Sequence, residues 1–461
     1  MQLSDIHKIY FIGIGGIGMS ALARYFHARG VEVEGYDKTA TPLTTALAQS
    51  GIRICFTEEL DELPKEVQLV VYTPAIPATN RQLAYYRRHG YPVLKRSEVL
   101  EIISAGSFNI CVAGTHGKTT ISTMIAHVLR DSGYGCNAFL GGISANYGTN
   151  FWSHERNVCV IEADEYDRSF LRLNPDIALV SAMDADHLDI YGTEEALQHA
   201  FVDFMQKVKP GGLLLTKHGL KQPYETGSQR HLSYSLQNDA ASVRGANIRI
   251  RQGGYEFDVV MSDNLLSQVE LPMGGMHNVE NAIAATAVAH ALGIENEAIR
   301  KALAGFKGVK RRFEYIVMSD KLVYIDDYAH HPEELNALLK SVKTLFPGRK
   351  CTIIFQPHLY SRTKDFADEF AMSLESADQL ILLPLYPARE LPVEGVSSGL
   401  IFEKIKRARK QIMTRQELIN YIKDQYLPQL DGTAGEVLIT AGAGDIDALV
   451  KPLKDLITQA V

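Results

Sequence analysis

The sequence holds one tryptophan, five cysteines and no surplus of positive charge: 47 Lys and Arg stand against 54 Asp and Glu, a formal charge of −7. Without a basic excess, nucleic acid and membrane surfaces are excluded as expected partners, since both are held by positive faces. Small phosphorylated ligands remain, because they need only a local positive pocket. Cys55, Cys111, Cys136, Cys159 and Cys351 are scattered, with no C-x-x-C pair and no metal-ligand spacing, so reduced thiols in a cytoplasmic protein are expected. No apolar stretch reaches membrane-spanning length. The opening Met1-Gln2-Leu3-Ser4-Asp5 lacks the basic-then-apolar pattern of a secretory leader.

What is present is 461 residues, 46% of them apolar, enough for about two to four domains with full cores. The stretch Cys111-Val112-Ala113-Gly114-Thr115-His116-Gly117-Lys118-Thr119-Thr120 follows an apolar strand and opens a helix with Ile121, Met124, Ile125, Val128 and Leu129 on one face. A strand, glycine turn and helix N-terminus in succession make a phosphate cradle. Lys118 is expected on the β- and γ-phosphates and the Thr119 hydroxyl on Mg²⁺. Val112 stands where the long phosphate-loop pattern has glycine, so the match is to the shorter form G-T-x-G-K-T-T.

Nearer the N-terminus, Gly13-Ile14-Gly15-Gly16-Ile17-Gly18 lies between a strand and a helix, with Asp37 about twenty residues on. Alone it predicts a dinucleotide cofactor and an NAD(P)-dependent dehydrogenase; its chemistry, pyrophosphate against bare backbone, serves a sugar-linked UDP equally well. Thr73-Pro74-Ala75-Ile76-Pro77 makes a rigid turn at another strand end. Strands alternating with helices predict α/β units with mostly parallel sheets at 1–106, 107–314 and 315–461. A period of two over residues 229–270 predicts antiparallel strands added to the central unit.

In a parallel sheet the strand carboxyl ends share one edge. Lys118, Glu162 and His187 each follow such an end, so they are expected to converge, with Glu162 and Thr119 on one magnesium and His187 on a second. Asp164, Glu165, Asp167, Asp184, Asp186 and Asp189 make that edge acidic, with Lys118, Arg312 and magnesium as compensators. Asp326-Asp327-Tyr328-Ala329-His330-His331-Pro332 and Gln356-Pro357-His358-Leu359-Tyr360-Ser361-Arg362 gather acid, phenol, imidazole and guanidinium at strand ends of the third unit. Arg362 suits two-point binding of a carboxylate. A binding protein that uses ATP only to move its domains would leave this cluster without a task.

Gly-Thr-His-Gly-Lys-Thr-Thr, Glu162-Ala-Asp-Glu, Asp186-His187, His277-Asn278-x-x-Asn281, Arg311-Arg312-Phe313 and Asp327-Tyr-x-His-His-Pro together resemble the Mur ligases. The resemblance runs along essentially the whole chain. It implies a Rossmann-like N-terminal domain that binds a UDP substrate, a central ATPase domain and a Rossmann-like C-terminal domain that closes over them. It also implies ATP-dependent joining of L-alanine to UDP-N-acetylmuramate through an acyl phosphate, by a monomer or homodimer; a sister ligase adding a peptide or another amino acid is the alternative. By that analogy Gly13, Gly15, Gly16, Ile17, Gly18, Asp37, Thr73 and Ala75 hold UDP. Gly114, Thr115, His116, Gly117, Lys118, Thr119 and Thr120 hold ATP, with Asn278 and Asn281 at the adenine, Asp327 at the ribose and Arg312 at the phosphates. Tyr328, His330, His358 and Arg362 line the amino acid, and Lys118, His187, His330 and Arg362 are the catalytic set. The family pattern often has arginine at the position of Leu359, so one expected anion contact is missing here.

Overall fold

A computed structural model describes residues 5–220, 227, 229–388, 390–406, 409–430 and 434–460. The expectation resting on Met1–Ser4 lies outside them, as does the side chain of Asp189. Three sheets follow one another. The first contains β1 (Lys8–Ile12), β2 (Glu32–Tyr36), β3 (Arg53–Cys55), β4 (Leu69–Tyr72) and β5 (Val93–Lys95). Its order is β3-β2-β1-β4-β5, parallel throughout. The order reverses direction at β1 and β4, the switch point where open α/β sheets bind ligands.

The second sheet contains β6 (Phe108–Ala113), β7 (Asn137–Phe139), β8 (Phe151–Trp152), β9 (Val158–Glu162), β10 (Ile177–Val180), β11 (Leu213–Lys217), β12 (Arg230–Ser235), β13 (Val243–Arg251), β14 (Gly254–Met261) and β15 (Leu265–Leu271). Its order is β15-β14-β13-β12-β11-β10-β6-β9-β7-β8. The period-two region divides: β12 joins β11, and β13 joins β12, in parallel register. Within that region the neighbours β13, β14 and β15, joined by loops too short for a crossover, are antiparallel as expected; elsewhere in the sheet β7 and β8 also pair antiparallel. The third sheet contains β16 (Glu314–Met318), β17 (Leu322–Asp327), β18 (Lys350–Phe355), β19 (Gln379–Leu382), β20 (Arg409–Ile412) and β21 (Glu436–Ala441), in order β16-β17-β21-β18-β19-β20. Only β16 runs antiparallel to its neighbour.

By compactness the chain forms two units, one of residues 1–247, 257–269 and 280–306 and the other of residues 248–256, 270–279 and 307–461. Residues 311–314, which the sequence pattern places at the close of the central unit, therefore belong with the third sheet.

Within the first unit the first two sheets share one core. Tyr25, on the helix Ile17–Ala28, packs its ring 5.5 Å from Phe139 and 6.0 Å from Phe151, between centroids. Asn150, fully buried, donates its amide to Ile17 O (2.6 Å) and Ser20 Oγ (3.0 Å). The helix Lys118–Asp131 departs from the one-faced pattern expected of it, since every residue from Thr120 to Leu129 is buried. Its buried histidine is satisfied by position: His127 Nδ1 lies 2.8 Å from the Tyr147 hydroxyl and Nε2 2.8 Å from Ala302 O. Cys111, Cys136, Cys159 and Cys351 are buried and unbridged, and Cys55 is half-buried. Burial pushes the Cys136 and Cys351 thiols up to about 12, which keeps them protonated and inert.

Asn150→Ala removes a buried donor from two acceptors, one of them the first carbonyl of the helix Ile17–Ala28. The expected cost is about 1–3 kcal/mol, read as a drop of a few degrees in the apparent melting midpoint. Faster amide exchange at residues 17–22 should accompany it; unchanged melting and exchange would show that this bond does not tie the two sheets together.

Candidate active site

β6 lies between β10 and β9, so the loop that leaves it is flanked by the carboxyl ends of both neighbours. Gly114 has φ +126°, and a Cβ there would collide with Ser181 Oγ and stand 2.8 Å from Ala182 N. Only glycine lets the loop lie this close to the end of β10. The Ser181 hydroxyl donates to the loop carbonyls of Ala113 and His116. Thr115 N donates to Ala182 O (3.1 Å), and Thr115 Oγ1 accepts from Asp184 N (3.2 Å). Thr115 thus builds the loop, whereas His116 is mostly exposed, 3.8 Å from Asp184. Gly117, at φ +83°, precedes the helix, and no side chain caps that helix. Asn281 stands close by: a Cβ at position 117 would lie 3.1 Å from its Oδ1.

Lys118 and Thr119 each meet a carboxylate at the carboxyl end of β9 or just beyond it. Thr119 Oγ1 donates to Glu162 Oε1 at 2.9 Å, and Gly141 N donates to Glu162 Oε2 at 2.9 Å. Lys118 Nζ reaches Gly114 O and Glu165 Oε1, both at 2.7 Å. Burial raises the carboxyls of Glu162 and Glu165 above the usual range, and the Lys118 charge opposes that rise in both. His187 sits at φ +50° after β10, with Nε2 3.9 Å from Glu165 Oε1 and 3.7 Å from Asp186 Oδ2. Lys118, Glu162 and His187 do converge, and the structure adds a group the sequence listed only as part of an acidic edge. Ligand atoms of Glu165, Asp186 and His187 all lie within 4.8 Å of one another, a grouping suited to a metal ion.

The glycine motif lies at the switch point of the first sheet. Gly13, at φ +86°, donates its N–H to Tyr36 O (2.8 Å), and a Cβ there would stand 3.0 Å from Thr73 Cγ2. The loops after β1 and β4 therefore touch. Ala75 lies exposed in the turn closed by Ile76 N donating to Thr73 O at 3.0 Å. Asp37 accepts from Gly15 N (2.8 Å) and Thr39 N (3.2 Å), so it shapes the loop directly. Gly16 precedes the helix without a capping side chain, and Ile17 is 36% exposed, which leaves the helix N-terminus open to an anion. A cation unmarked by any motif lies there as well. Arg96 rests against Gly18, where a Cβ would stand 2.8 Å from its Nη1, and its Nη2 is 3.9 Å from Asp164 Oδ2. Only the fold reveals it, because it opens a helix of another segment.

In the second unit, Arg311 is no solvated surface charge. Its Nε lies 3.3 Å from Asp326 Oδ2, and its Nη2 donates to Gly442 O. Asp326 is fully buried and also accepts from Thr440 Oγ1 at 2.6 Å. Asp327 accepts from Phe313 N and from Ala329 N, both at 2.7 Å. Arg312 is exposed, its guanidinium 5.4 Å from the centre of the Tyr328 ring. Asn278 is buried and donates its amide to Gly274 O at 2.6 Å. His330 Nδ1 lies 2.8 Å from Tyr328 O and 3.3 Å from Glu334 Oε2.

Two imidazoles and a guanidinium gather at the ends of β17 and β18. The His330 and His358 rings are 6.1 Å apart between centroids, and Arg362 Nη1 is 3.3 Å from His358 Nδ1. Burial, reinforced by Arg362, lowers His358 to about 4; burial also lowers His330. Leu359 holds φ +69° and ψ 136°, a strained conformation for a non-glycine residue. It is fixed by its N–H donating to Tyr386 O (3.0 Å) and its carbonyl accepting from Thr363 N (3.1 Å). This position therefore carries an apolar side chain on a strained backbone.

Three family models match successive parts of the chain: "Mur ligase family, catalytic domain" at residues 8–107, "Mur ligase middle domain" at 112–289 and "Mur ligase, glutamate ligase domain" at 311–444. The chain is 45% identical over 466 residues to the UDP-N-acetylmuramate–L-alanine ligase of Flavobacterium johnsoniae, covering 100% of both chains. To the enzyme of the same name from Porphyromonas gingivalis it is 46% identical, covering 97% of this chain and 98% of that one. The crystal structure of the UDP-N-acetylmuramate-alanine ligase of Thermotoga maritima superposes with a TM-score of 0.83 at 26% identity, over 98% of this chain and 100% of that one. No helix among the described residues is long and apolar enough to cross a membrane. The convergence at the phosphate loop, the three matched models and the full-length relatives agree: the chain belongs to the Mur ligase family.

Proposed function

We propose that this chain joins L-alanine to the carboxylate of UDP-N-acetylmuramate, with ATP cleaved to ADP and phosphate, in the cytoplasmic stage of peptidoglycan synthesis. The observation that carries the reading is Thr119 Oγ1 on Glu162 Oε1 at 2.9 Å beside Lys118, at the end of a phosphate-loop strand. The choice of alanine is supported by relatives of that name at 45% and 46% identity over nearly the full chain.

A carboxylate is a poor acyl donor, so one of its oxygens first attacks the γ-phosphate and ADP leaves. The alanine amine then attacks the acyl carbon and expels phosphate. Two anions meet in the first step, and Lys118 with the loop N–H groups lowers their repulsion. The hydroxyl and carboxylate oxygens of Thr119 and Glu162 suit magnesium, which when bound supplies further positive charge at the phosphates. His187 would help hold a second such ion. Gly114–Thr120 with Asn278, Asn281, Arg312 and Asp327 hold ATP. Asp327 and Asn278 do so while also fixing backbone, which sets their orientation in advance. Gly13, Gly15, Gly16, Ile17, Gly18, Asp37, Thr73 and Ala75 hold the UDP portion. Tyr328, His330, His358 and Arg362 take the amino acid and the reacting carboxylate. His330 donates Nδ1–H to Tyr328 O, which leaves the Nε2 of the neutral ring free to accept a proton.

With UDP-N-acetylmuramate and ATP present, phosphate release should depend on L-alanine in a panel of amino acids; release without alanine dependence would defeat the reading. Lys118→Ala should cut that release by roughly a hundredfold or more with an unchanged circular dichroism spectrum, and substantial turnover would remove Lys118 from the ATP site. A third expectation concerns His358, whose imidazole should stay neutral until the pH falls to about 4. Its folded value is depressed, so the stability it favours is present above the ordinary imidazole value and is lost as pH falls toward 4. Ring-nitrogen NMR reads this directly, and titration near the ordinary value of about 6.5 would contradict it.

A further inference from the structure

Glu165 is the most constrained charge in the first unit that the reaction above leaves without a task. Its side chain is 0% exposed, Oε1 is held by Lys118 Nζ at 2.7 Å, and Oε2 is buried with no hydrogen-bond partner. Lys118 is its only close cation among the described residues. Yet Lys118 is the side chain that a phosphate-loop site directs to the phosphates of a bound nucleotide. If Lys118 leaves, Glu165 becomes a buried carboxylate that has lost its ion pair, a costly state relieved by a proton or by another cation. The groups that would receive one are in place. The same Oε1 lies 3.9 Å from His187 Nε2, and Asp186 Oδ2 lies 3.7 Å from that nitrogen. The three ligand atoms lie within 4.8 Å of one another, and two oxygens with one imidazole suit Mg²⁺ or Mn²⁺. Glu165 is also fixed in place, for Tyr191 donates its hydroxyl to Glu165 O at 2.6 Å.

We propose that Glu165 exchanges cations: it holds Lys118 in the nucleotide-free protein and, when Lys118 swings to the phosphates, binds a divalent ion together with Asp186 and His187. This rests on the reading of Gly114–Thr120 as the ATP site and deepens it. The lysine acts as a stand-in ion that keeps the carboxylate charged and keeps metal out until nucleotide arrives. Metal and nucleotide binding are then coupled through one oxygen atom, Glu165 Oε1.

The test is Mn²⁺ binding, followed by electron paramagnetic resonance of the free ion, with no nucleotide present. Lys118→Met keeps the stem and removes the charge, and should bind Mn²⁺ roughly tenfold or more tighter than the wild type, because a unit charge in contact with the site is lost. The double variant Lys118→Met with Glu165→Gln should lose that gain. The melting midpoint gives a second readout: added Mn²⁺ should raise it for Lys118→Met but not for the double variant, since a ligand that binds only the folded state stabilises it. No gain of Mn²⁺ affinity in Lys118→Met, or a gain that survives Glu165→Gln, overturns the exchange. A non-hydrolysable ATP analogue is titrated into the wild type in parallel by calorimetry. Failure of that binding would strike the ATP-site reading, whereas the nucleotide-free Mn²⁺ result judges the exchange alone.

Discussion

A charged carboxylate removed from water must find positive charge close by, and that requirement organises the first unit around Glu162 and Glu165. Glu162 ends β9 and Glu165 follows it; both are raised above the usual carboxylate range by burial, and both lean on the charge of Lys118. Parallel pairing makes this possible, because it sets the ends of β9 and β10 on either side of the loop after β6. The loop glycines then follow as necessities. Gly114 must pass Ser181, and Gly141 must pass the carboxylate of Glu162, where a Cβ would collide with it. Had any of the three strands slipped register, the lysine and the acids would not meet.

The second unit meets its need for order with backbone hydrogen bonds. Asp327 fixes Phe313 N and Ala329 N, and Tyr328 N donates to Arg311 O at 2.7 Å. The segment 311–313 is thereby held against the end of β17, while Arg311 is drawn in by buried Asp326. Arg311 and Arg312 accordingly differ: the first is part of the framework and the second is left at the surface. The backbone that carries Arg312 and Tyr328 is thus fixed in advance.

Much of this was legible in the sequence because the motifs are local. A glycine pattern between a strand and a helix specifies its own geometry, so the loops at Gly13 and Gly114, and the places of Glu162, His187 and His330 at or just beyond strand ends, follow from short stretches. The short strands β5, β7, β8, β16 and β20 did not announce themselves, since two to five residues carry too little periodicity. Arg96 and the pairing of Lys118 with Glu165 depend on segments far apart in sequence that only the sheet order brings together. The parallel joining of β12 to β11 escaped the pattern for a related reason: alternation reports one exposed face and says nothing of strand direction. The dinucleotide reading of the glycine motif failed to discriminate because bare N–H groups at a helix start bind any diphosphate alike.

The buried amide of Asn150 on the carbonyl of Ile17, and the aromatic contact of Tyr25 with Phe139 and Phe151, bear on what counts as a domain in this chain. The first two sheets each have their own strand order and their own glycine loop at a helix start, so by topology they are separate modules. Their apolar faces nevertheless run into one cluster, from Phe11 and Phe26 through Phe139 to Phe201. A cut at residue 106 would strip part of that cluster and leave both fragments with raw hydrophobic surface. The sequence thus writes two modules where folding thermodynamics recognises one.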